Sequence, residues 1–150
     1  MAVNKKPEFN APADQPEEHA AAAAAAPAPA AAAGVVSLQP LLGTWTNCDK
    51  ATRGVVKVIL SAQGNTLIVQ AFGACSPTPC DWGKVKGLAY AANISSSVPV
   101  AFSAIYKFNF KETILVGVLE SGSLIVETFN NFTDGSGRSD YYSKHYLCRH

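Results

Sequence analysis

Leu41-Leu42-Gly43-Thr44-Trp45-Thr46-Asn47-Cys48-Asp49 is the first stretch of this chain with the character of a β-strand. It follows a low-complexity lead and combines a glycine, a β-compatible threonine and a large aromatic residue. Behind it, apolar runs of strand length alternate with short polar or glycine-containing segments as far as the C-terminus. This pattern predicts an all-β domain that begins at this stretch.

Seven further strands are predicted after the Trp45 strand. The clearest period of two lies in Ala101–Phe110, where one face is apolar and consists of Phe102, Ala104, Tyr106, Phe108 and Phe110. Connections are mostly short, so successive strands are expected to be antiparallel neighbours, and eight strands can close into an up-and-down barrel. No long Greek-key crossover is visible, which favours the barrel over a sandwich. The predicted strands are Val55–Ser61, Thr66–Phe72, Lys84–Ala91, Ala101–Phe110, Thr113–Leu119, Leu124–Asn130 and Tyr141–Arg149.

Residues 1–39 are predicted to be a disordered Ala/Pro-rich tail, and residues 40–150 the barrel domain. Pro27 and Pro29 interrupt the alanine run at 20–33, and alanine buries too little surface to offset the cost of ordering. A secretory signal is the alternative. The acidic residues before the run and its lack of Leu or Phe disfavour that alternative.

The charge distribution argues against nucleic acid as a partner. Residues 1–40 hold two lysines and four carboxylates, a charge of −2, so the rest of the chain carries +3 of the total of +1. The basic residues of the domain are scattered singly and form no stripe. No apolar run reaches membrane-spanning length, so a soluble chain without a membrane partner is expected.

The four cysteines are expected to form two disulfides, Cys75–Cys80 and Cys48–Cys148. Cys75 and Cys80 bracket a turn-forming spacer, whereas Cys48 closes the first strand and Cys148 the last, which are neighbours if the sheet closes. The alternative is four reduced thiols in a cytosolic protein, and disulfides would indicate secretion. A zinc site that uses His145 is disfavoured because no second close cysteine pair exists.

Gly43-Thr44-Trp45-Thr46-Asn47 at the start of eight predicted strands resembles the opening strand of the avidins, in the calycin superfamily of avidin- and lipocalin-type barrels. The resemblance implies that Trp45 sits low in the barrel under an arginine of the last strand, Arg149, with Arg138 as a second candidate. Guanidinium on indole is a favourable cation-π contact. Separately, residues 75–83 and 132–138 resemble stretches of an uncharacterised bacterial domain, which implies no function.

A ligand-binding rim is predicted where the loops after strands one, three and seven meet. Trp82 would contact a ring or a sugar face, while carboxylates and arginines would bind hydroxyl or charged groups. The alternative is structural, with these side chains satisfying loop backbone groups. The candidate ligand-binding residues are Arg53, Asp81, Trp82, Asp134 and Arg138, with Tyr106 from the aromatic face; Asp49 and Asp140 are expected beside them.

The predicted function is non-enzymatic binding of a small molecule. One alternative is a protein-interaction module with a filled barrel, which would dock a protein partner. The other is a hydrolase-like enzyme that uses rim carboxylates. No nucleophile with an adjacent base is evident, so no catalytic residue, metal ligand or cofactor is assigned.

Overall fold

The computed structural model describes residues 36–149, which form eight β-strands and one short 3₁₀ turn. All eight predicted strands are confirmed, with shifts of a few residues at their ends. The turn is Gln39–Leu41, and the strands are β1 (Gly43–Asn47), β2 (Val55–Gln63), β3 (Thr66–Gly73), β4 (Cys80–Ala91), β5 (Pro99–Lys107), β6 (Lys111–Glu120), β7 (Ser123–Phe132) and β8 (Tyr141–Arg149).

The strands form one closed antiparallel barrel in the order β1 to β8, which confirms the up-and-down architecture. Closure comes from pairing of the first strand with the last, which places Trp45 opposite Arg149 and Thr46 opposite Cys148. Every strand therefore has two neighbours, which removes most of the sheet edge, although β1 pairs with only the last three residues of β8. No helix among residues 36–149 is long and apolar enough to cross a membrane.

The predicted tail lies outside the described residues up to residue 35, and its last residues belong to the barrel. The Ser37 amide donates a hydrogen bond to the Ser97 carbonyl at 2.8 Å, and Leu38 packs against the core. The structured part therefore extends a few residues before the predicted boundary at residue 40.

The barrel interior is filled with side chains. Inward residues such as Val58, Val69, Leu115 and Leu147 are fully buried. Phe102 lies directly on Gly117, where an added Cβ atom would overlap the ring. Small barrels of eight strands are commonly filled in this way. Among residues 36–149 the interior therefore holds packed apolar side chains in place of a deep cup.

One end of the barrel is sealed around Trp45. The guanidinium carbon of Arg149 lies 4.2 Å from the centroid of the Trp45 ring, the arrangement that the calycin resemblance implies. The same guanidinium donates hydrogen bonds to the carbonyls of Pro40 and Leu42, at 2.8 and 3.0 Å. The Trp45 indole donates to the Leu41 carbonyl at 2.9 Å. We call this the closed end.

Both predicted disulfides are present. Cys48 and Cys148 join β1 to β8 with Cα atoms 5.3 Å apart, and Cys75 and Cys80 close the β3–β4 loop with Cα atoms 5.4 Å apart. The alternative of four reduced thiols is therefore wrong for this structure. The pairing also leaves no cysteine thiolate to join His145 in a zinc site, and no group of metal-binding side chains occurs among residues 36–149.

Candidate functional site

The loops that follow β1, β3, β5 and β7 meet at the barrel end opposite Trp45, which we call the open end. They comprise residues 48–54, 74–79, 108–110 and 133–140. Three of these loops were expected there from strand order. The fourth lies within the predicted strand Ala101–Phe110, but β5 stops at Lys107 and leaves Phe108 and Phe110 to cover the open end.

Trp82 reaches the open end because β4 contains a bulge. Asp81 pairs with Phe72 and Lys84 with Gln70, so Trp82 and Gly83 together stand opposite the single residue Ala71. Gly83 has a φ of 93°, a conformation that glycine adopts without steric cost. The bulge changes which residues of β4 face inward. Trp82 lies within β4 and not in the loop predicted from the sequence, because the strand already begins at Cys80.

The indole of Trp82 is held between two aromatic side chains. Its ring contacts Tyr106 edge to face at a centroid distance of 5.4 Å and Phe108 at 5.5 Å. Tyr106 and Phe108 are stacked on each other at 5.7 Å. Edge-to-face and stacked contacts of this kind favour the observed arrangement of the rings. The aromatic cluster therefore forms a fixed platform at the open end.

A cavity of about 410 Å³ lies beside this platform. Its walls are aromatic on one side and are formed by the Cys75–Cys80 loop on another. The size is in the range of small-molecule sites, which are typically apolar with a few polar groups. The side chains and backbone that line it belong to Arg53, Gly54, Gly73, Ala74, Cys75, Cys80, Asp81, Trp82, Phe108, Phe110, Lys111 and Tyr141.

Lys111 contributes a buried cation to the cavity wall. Only 8% of this residue is exposed, although it is a lysine at the first position of β6. Its ammonium nitrogen lies 5.5 Å from the ring centroid of Trp82, 5.6 Å from those of Phe108 and Tyr141, and 5.9 Å from that of Phe110. Four ring faces therefore surround one charge, which is a favourable environment for a cation.

A buried polar network fixes the position of the Lys111 ammonium. It donates to the Asn130 side-chain oxygen at 2.9 Å, and the Thr113 hydroxyl donates to the same oxygen at 2.8 Å. The Asn130 amide nitrogen in turn donates to the Thr128 hydroxyl and to the Tyr141 carbonyl. All hydrogen-bonding positions of the amide are thus used, which fixes its orientation.

The pKa of Lys111 is lowered from its ordinary value, first because burial penalises the charged form and second because the Arg138 guanidinium repels it. Within residues 36–149 the ion pairs are Lys107–Glu112 and Arg138–Asp134, so no carboxylate lies within 4 Å of the Lys111 ammonium. This buried amine therefore has no carboxylate counterion among the described residues.

Arg53, Asp81 and Trp82 line the cavity together. The Asp81 carboxylate accepts hydrogen bonds from the Gln70 side-chain amide at 3.0 and 3.1 Å and from the Gly83 amide at 2.8 Å. The Gln70 hydrogen bond is the main cause of a lowered Asp81 pKa, and the Gly83 amide is the second. Asp81 therefore remains a carboxylate at neutral pH and braces the bulge.

Asp134 and Arg138 lie beside the cavity and do not line it. They form an ion pair at 2.8 Å, and the Asp134 carboxylate also accepts from the Ser136 amide at 3.0 Å. The hydrogen bonds from Ser136 are the largest cause of a lowered Asp134 pKa. The guanidinium carbon of Arg138 sits 4.2 Å from the Phe132 ring centroid. Their contacts serve the loop and its aromatic neighbours.

Tyr106 forms the floor under Trp82 and has no free hydroxyl. The hydroxyl oxygen accepts a hydrogen bond from the Ala71 amide at 3.0 Å. The hydroxyl proton can be donated to the Gly83 carbonyl at 2.8 Å or to the Val69 carbonyl at 3.1 Å. Burial raises the pKa of Tyr106 to about 12. The Asp49 and Asp140 carboxylates accept backbone amide hydrogen bonds, from Ala51 and Phe132.

Sequence reasoning missed two cavity residues: Tyr141, which was assigned to a strand without a place in the site, and Lys111, which was read with Glu112 as a turn. Phe108 and Phe110 were expected on the aromatic face of the Ala101–Phe110 strand, either lining a cavity inside the barrel or filling its core, and they lie at the open end instead. A signal was available for Lys111. Lys111, Thr113, Leu115 and Gly117 alternate on one face of β6, and all four are buried.

A second surface feature lies on the outside of the barrel. Ile105, Ile114, Phe129 and Tyr142 pair directly with one another across β5, β6, β7 and β8 and form a continuous row. Between 44% and 53% of each residue is exposed. We call these four residues the outer row. Comparisons with protein-family models, with curated proteins and with solved structures found no match to this chain.

Proposed function

We propose that this protein binds a small molecule with a flat apolar portion in the cavity at the open end, and that it does so without catalysing a reaction. The observation that carries the proposal is the fixed aromatic wall of Trp82 and Phe108 beside a cavity of about 410 Å³. Preorganised aromatic walls lower the entropy lost on binding. The filled interior supports a site at this end instead of deep in the barrel.

The carboxylates at the open end give little support to the enzymatic alternative. Asp81 and Asp134 both have lowered pKa values because hydrogen-bond donors stabilise their charged forms. A general acid or base works best with a pKa near the working pH, and these groups are shifted away from it. Their hydrogen bonds within the loops suit a supporting role.

Nuclear magnetic resonance can test the proposed site because the chain has two tryptophans, one at each barrel end. A set of neutral aromatic fragments would be titrated into the ¹⁵N-labelled protein. We expect saturable shifts of the Trp82 indole N–H resonance and none of the Trp45 resonance. Shifts confined to other surfaces would contradict the proposal.

A matched pair of variants separates the cavity from the rest of the surface. Ala74 is exposed and lines the cavity, so Ala74→Phe should fill it and abolish the Trp82 shift. Ala62 is exposed near the far end of β2, so Ala62→Phe adds the same ring elsewhere and should leave binding unchanged. Equal binding by both variants would place the fragments outside the cavity.

The outer row favours a second candidate function, a protein-interaction module whose partner is another copy of the chain. A two-fold axis along the strands between β6 and β7 would place Ile114 on Phe129 and Ile105 on Tyr142 of the other copy. Each aliphatic side chain would then face an aromatic ring, which makes the row self-complementary as an isologous dimer requires. Contiguous exposed apolar surface is typical of interaction sites.

Sedimentation velocity distinguishes this second candidate. We expect a concentration-dependent dimer that Ile114→Glu abolishes and that Ile94→Glu, on an exposed isoleucine outside the row, leaves intact. A monomer at all concentrations would remove the candidate without affecting the cavity.

The two disulfides and the sealed Trp45 end support two finer proposals. We propose that the protein works in an oxidising compartment, where disulfides persist. We also propose that the barrel is calycin-like, since Arg149 covers Trp45 in the way that the resemblance implies.

A further inference from the structure

The Lys111 ammonium carries a positive charge that no carboxylate among the described residues neutralises. Only 8% of the residue is exposed, yet the hydrogen-bond acceptor of its ammonium is the neutral side-chain oxygen of Asn130. Burial of a cation without a counterion is costly. An ammonium also has three donors, and one of them accounts for the Asn130 contact. The remaining donors are available to a molecule in the cavity that Lys111 lines.

The other charges at the open end do not neutralise Lys111. Arg138 lies close enough to repel it, and Asp134 is engaged with Arg138 at 2.8 Å. Asp81 lines the same cavity but is held by Gln70 and Gly83, outside ion-pair distance of the Lys111 ammonium. With Arg53 also in the wall, the cavity has two cations and one anion. Its net charge favours a ligand with a single negative charge.

The aromatic rings around Lys111 favour a particular chemistry for the part of the ligand that is attached to its anionic group. Trp82, Phe108, Phe110 and Tyr141 lie within 6 Å of the ammonium. An anion that reaches the ammonium must therefore sit among ring faces and edges. A flat apolar body attached to the anionic group would contact the same rings, whereas a small hydrated ion would lose water without gaining such contacts.

We propose that the ligand class is organic monocarboxylates with a flat apolar body, bound with the carboxylate on the Lys111 ammonium and the body against Trp82. This inference rests on the proposed function and specifies its ligand. A charge-assisted hydrogen bond to the ammonium would supply the missing counterion. The held carboxylate of Asp81 at the same cavity disfavours dianions such as phosphate esters.

A pair of isosteric probes tests the proposal directly. 2-Naphthoate and the neutral 2-naphthylmethanol have the same ring system and differ in charge. Each would be titrated into the ¹⁵N-labelled full chain at pH 7, with the Trp82 indole N–H resonance as the readout and that of Trp45 as the internal control. We expect naphthoate to bind more tightly than the alcohol by roughly tenfold to a hundredfold, the range for hydrogen bonds to charged groups.

Three variants assign that difference to one amine. Lys111→Met should remove the advantage of naphthoate over the alcohol, whereas Lys111→Arg should retain part of that advantage. Lys107→Met is the matched control, because Lys107 is four residues away with 76% of its side chain exposed, and it should behave as wild type. The wild-type comparison of the two probes needs no variant, so it decides even if Lys111→Met fails to fold.

The outcomes distinguish failure of the carboxylate inference from failure of the proposed binding function. If both probes bind wild type equally at Trp82, the carboxylate inference is wrong and the proposed cavity stands. If naphthoate keeps its advantage in Lys111→Met, another cation holds the carboxylate and the assignment to Lys111 is wrong. If neither probe moves the Trp82 resonance, the proposed function and the inference fail together.

Discussion

The Tyr106 hydroxyl accepts a hydrogen bond from the backbone amide of Ala71, 3.0 Å away across the barrel interior. Ala71 is the residue of β3 that stands opposite the two-residue bulge in β4. The same hydroxyl lies 2.8 Å from the Gly83 carbonyl within that bulge. One phenol thus satisfies backbone groups that the bulge removes from the ladder, and it fixes the strand that carries Trp82.

Removal of this hydroxyl should be costly. We expect Tyr106→Phe to lower the free energy of unfolding by about 1 to 3 kcal/mol, because the buried Ala71 amide loses its acceptor. Tyr90→Phe is the matched control, since the Tyr90 hydroxyl bonds to Ser103 at an exposed site and should matter little. Urea denaturation measures both. Equal stability of the two variants would show that the bulge does not depend on Tyr106.

The same residue gives a pH dependence at the alkaline end. The pKa of Tyr106 is raised to about 12, so the folded state favours the neutral phenol. Its contribution is fully present below the ordinary tyrosine pKa of 10 and is lost as the pH rises toward 12. The stability difference between wild type and Tyr106→Phe should therefore shrink between these pH values. If the stability difference between the two proteins stays constant over this pH range, the pKa of Tyr106 is not raised by burial.

Arg149 is expected to stabilise the closed end through its shape as well as its charge. We expect Arg149→Met to lose about 1 to 2 kcal/mol, from the cation-π contact with Trp45 and the hydrogen bonds to Pro40 and Leu42. Arg149→Lys should recover only part of this, because an ammonium lacks the planar fork. Full recovery by lysine would mean that charge alone is required.

The two disulfides should differ in their effect on stability. They link residues separated by 100 and by 5 positions. On the chain-entropy model, closing the longer loop contributes about 5 kcal/mol and the shorter about 2 kcal/mol. We therefore expect Cys48→Ala/Cys148→Ala to be the more destabilised double variant in urea denaturation. The reverse order would show that the Cys75–Cys80 loop has a larger role in the native state than loop closure implies.

His145 should make stability fall in mild acid. Burial lowers the pKa of His145 below its ordinary value of 6.5, so the folded state favours the neutral ring. The contribution is present above pH 6.5 and is lost as the pH falls through the folded-state pKa. Replacement by asparagine should flatten this part of the stability profile. Identical profiles for wild type and His145→Asn between pH 7 and 5 would assign the acid sensitivity to carboxylates.

The strands were predictable from the sequence because their signals are local. Thr66–Gly73 alternates buried and partly buried residues throughout, and turn residues bound most runs. The Trp82 bulge was not predictable in this way. The bulge shifts the inward–outward alternation of β4 by one residue, and it depends on Gly83 at positive φ and on pairing with β3. Strict alternation of apolar and polar residues therefore did not predict that Trp82 belongs to a strand.

The cavity was harder to predict for the same physical reason. Lys111 and Glu112 form a polar pair of the kind that turns contain. Lys111 nevertheless faces inward, where β6 pairs it with Phe132 and the Asn130 side-chain oxygen accepts a hydrogen bond from its ammonium. These partners lie about twenty residues away along the chain, and the register of the β6–β7 pairing brings them to Lys111. Residues predicted from loop composition, such as Asp134 and Arg138, found partners in their own loop instead.

Lys111 should reduce the stability of the unliganded protein while it supports binding. We expect Lys111→Met to be as stable as wild type or more stable at pH 7, because methionine removes a buried charge without a counterion and Thr113 still donates to Asn130. The lowered pKa of Lys111 means that the folded state favours the neutral amine. The loss of unfolding free energy that the buried charge causes in wild type should therefore decrease as the pH rises through that lowered pKa toward the ordinary value of 10.5. Urea denaturation of both proteins across this range is the measurement. A Lys111→Met variant that is clearly less stable at pH 7 would show that the aromatic rings and Asn130 compensate the charge fully, and Lys111 would then be a structural residue.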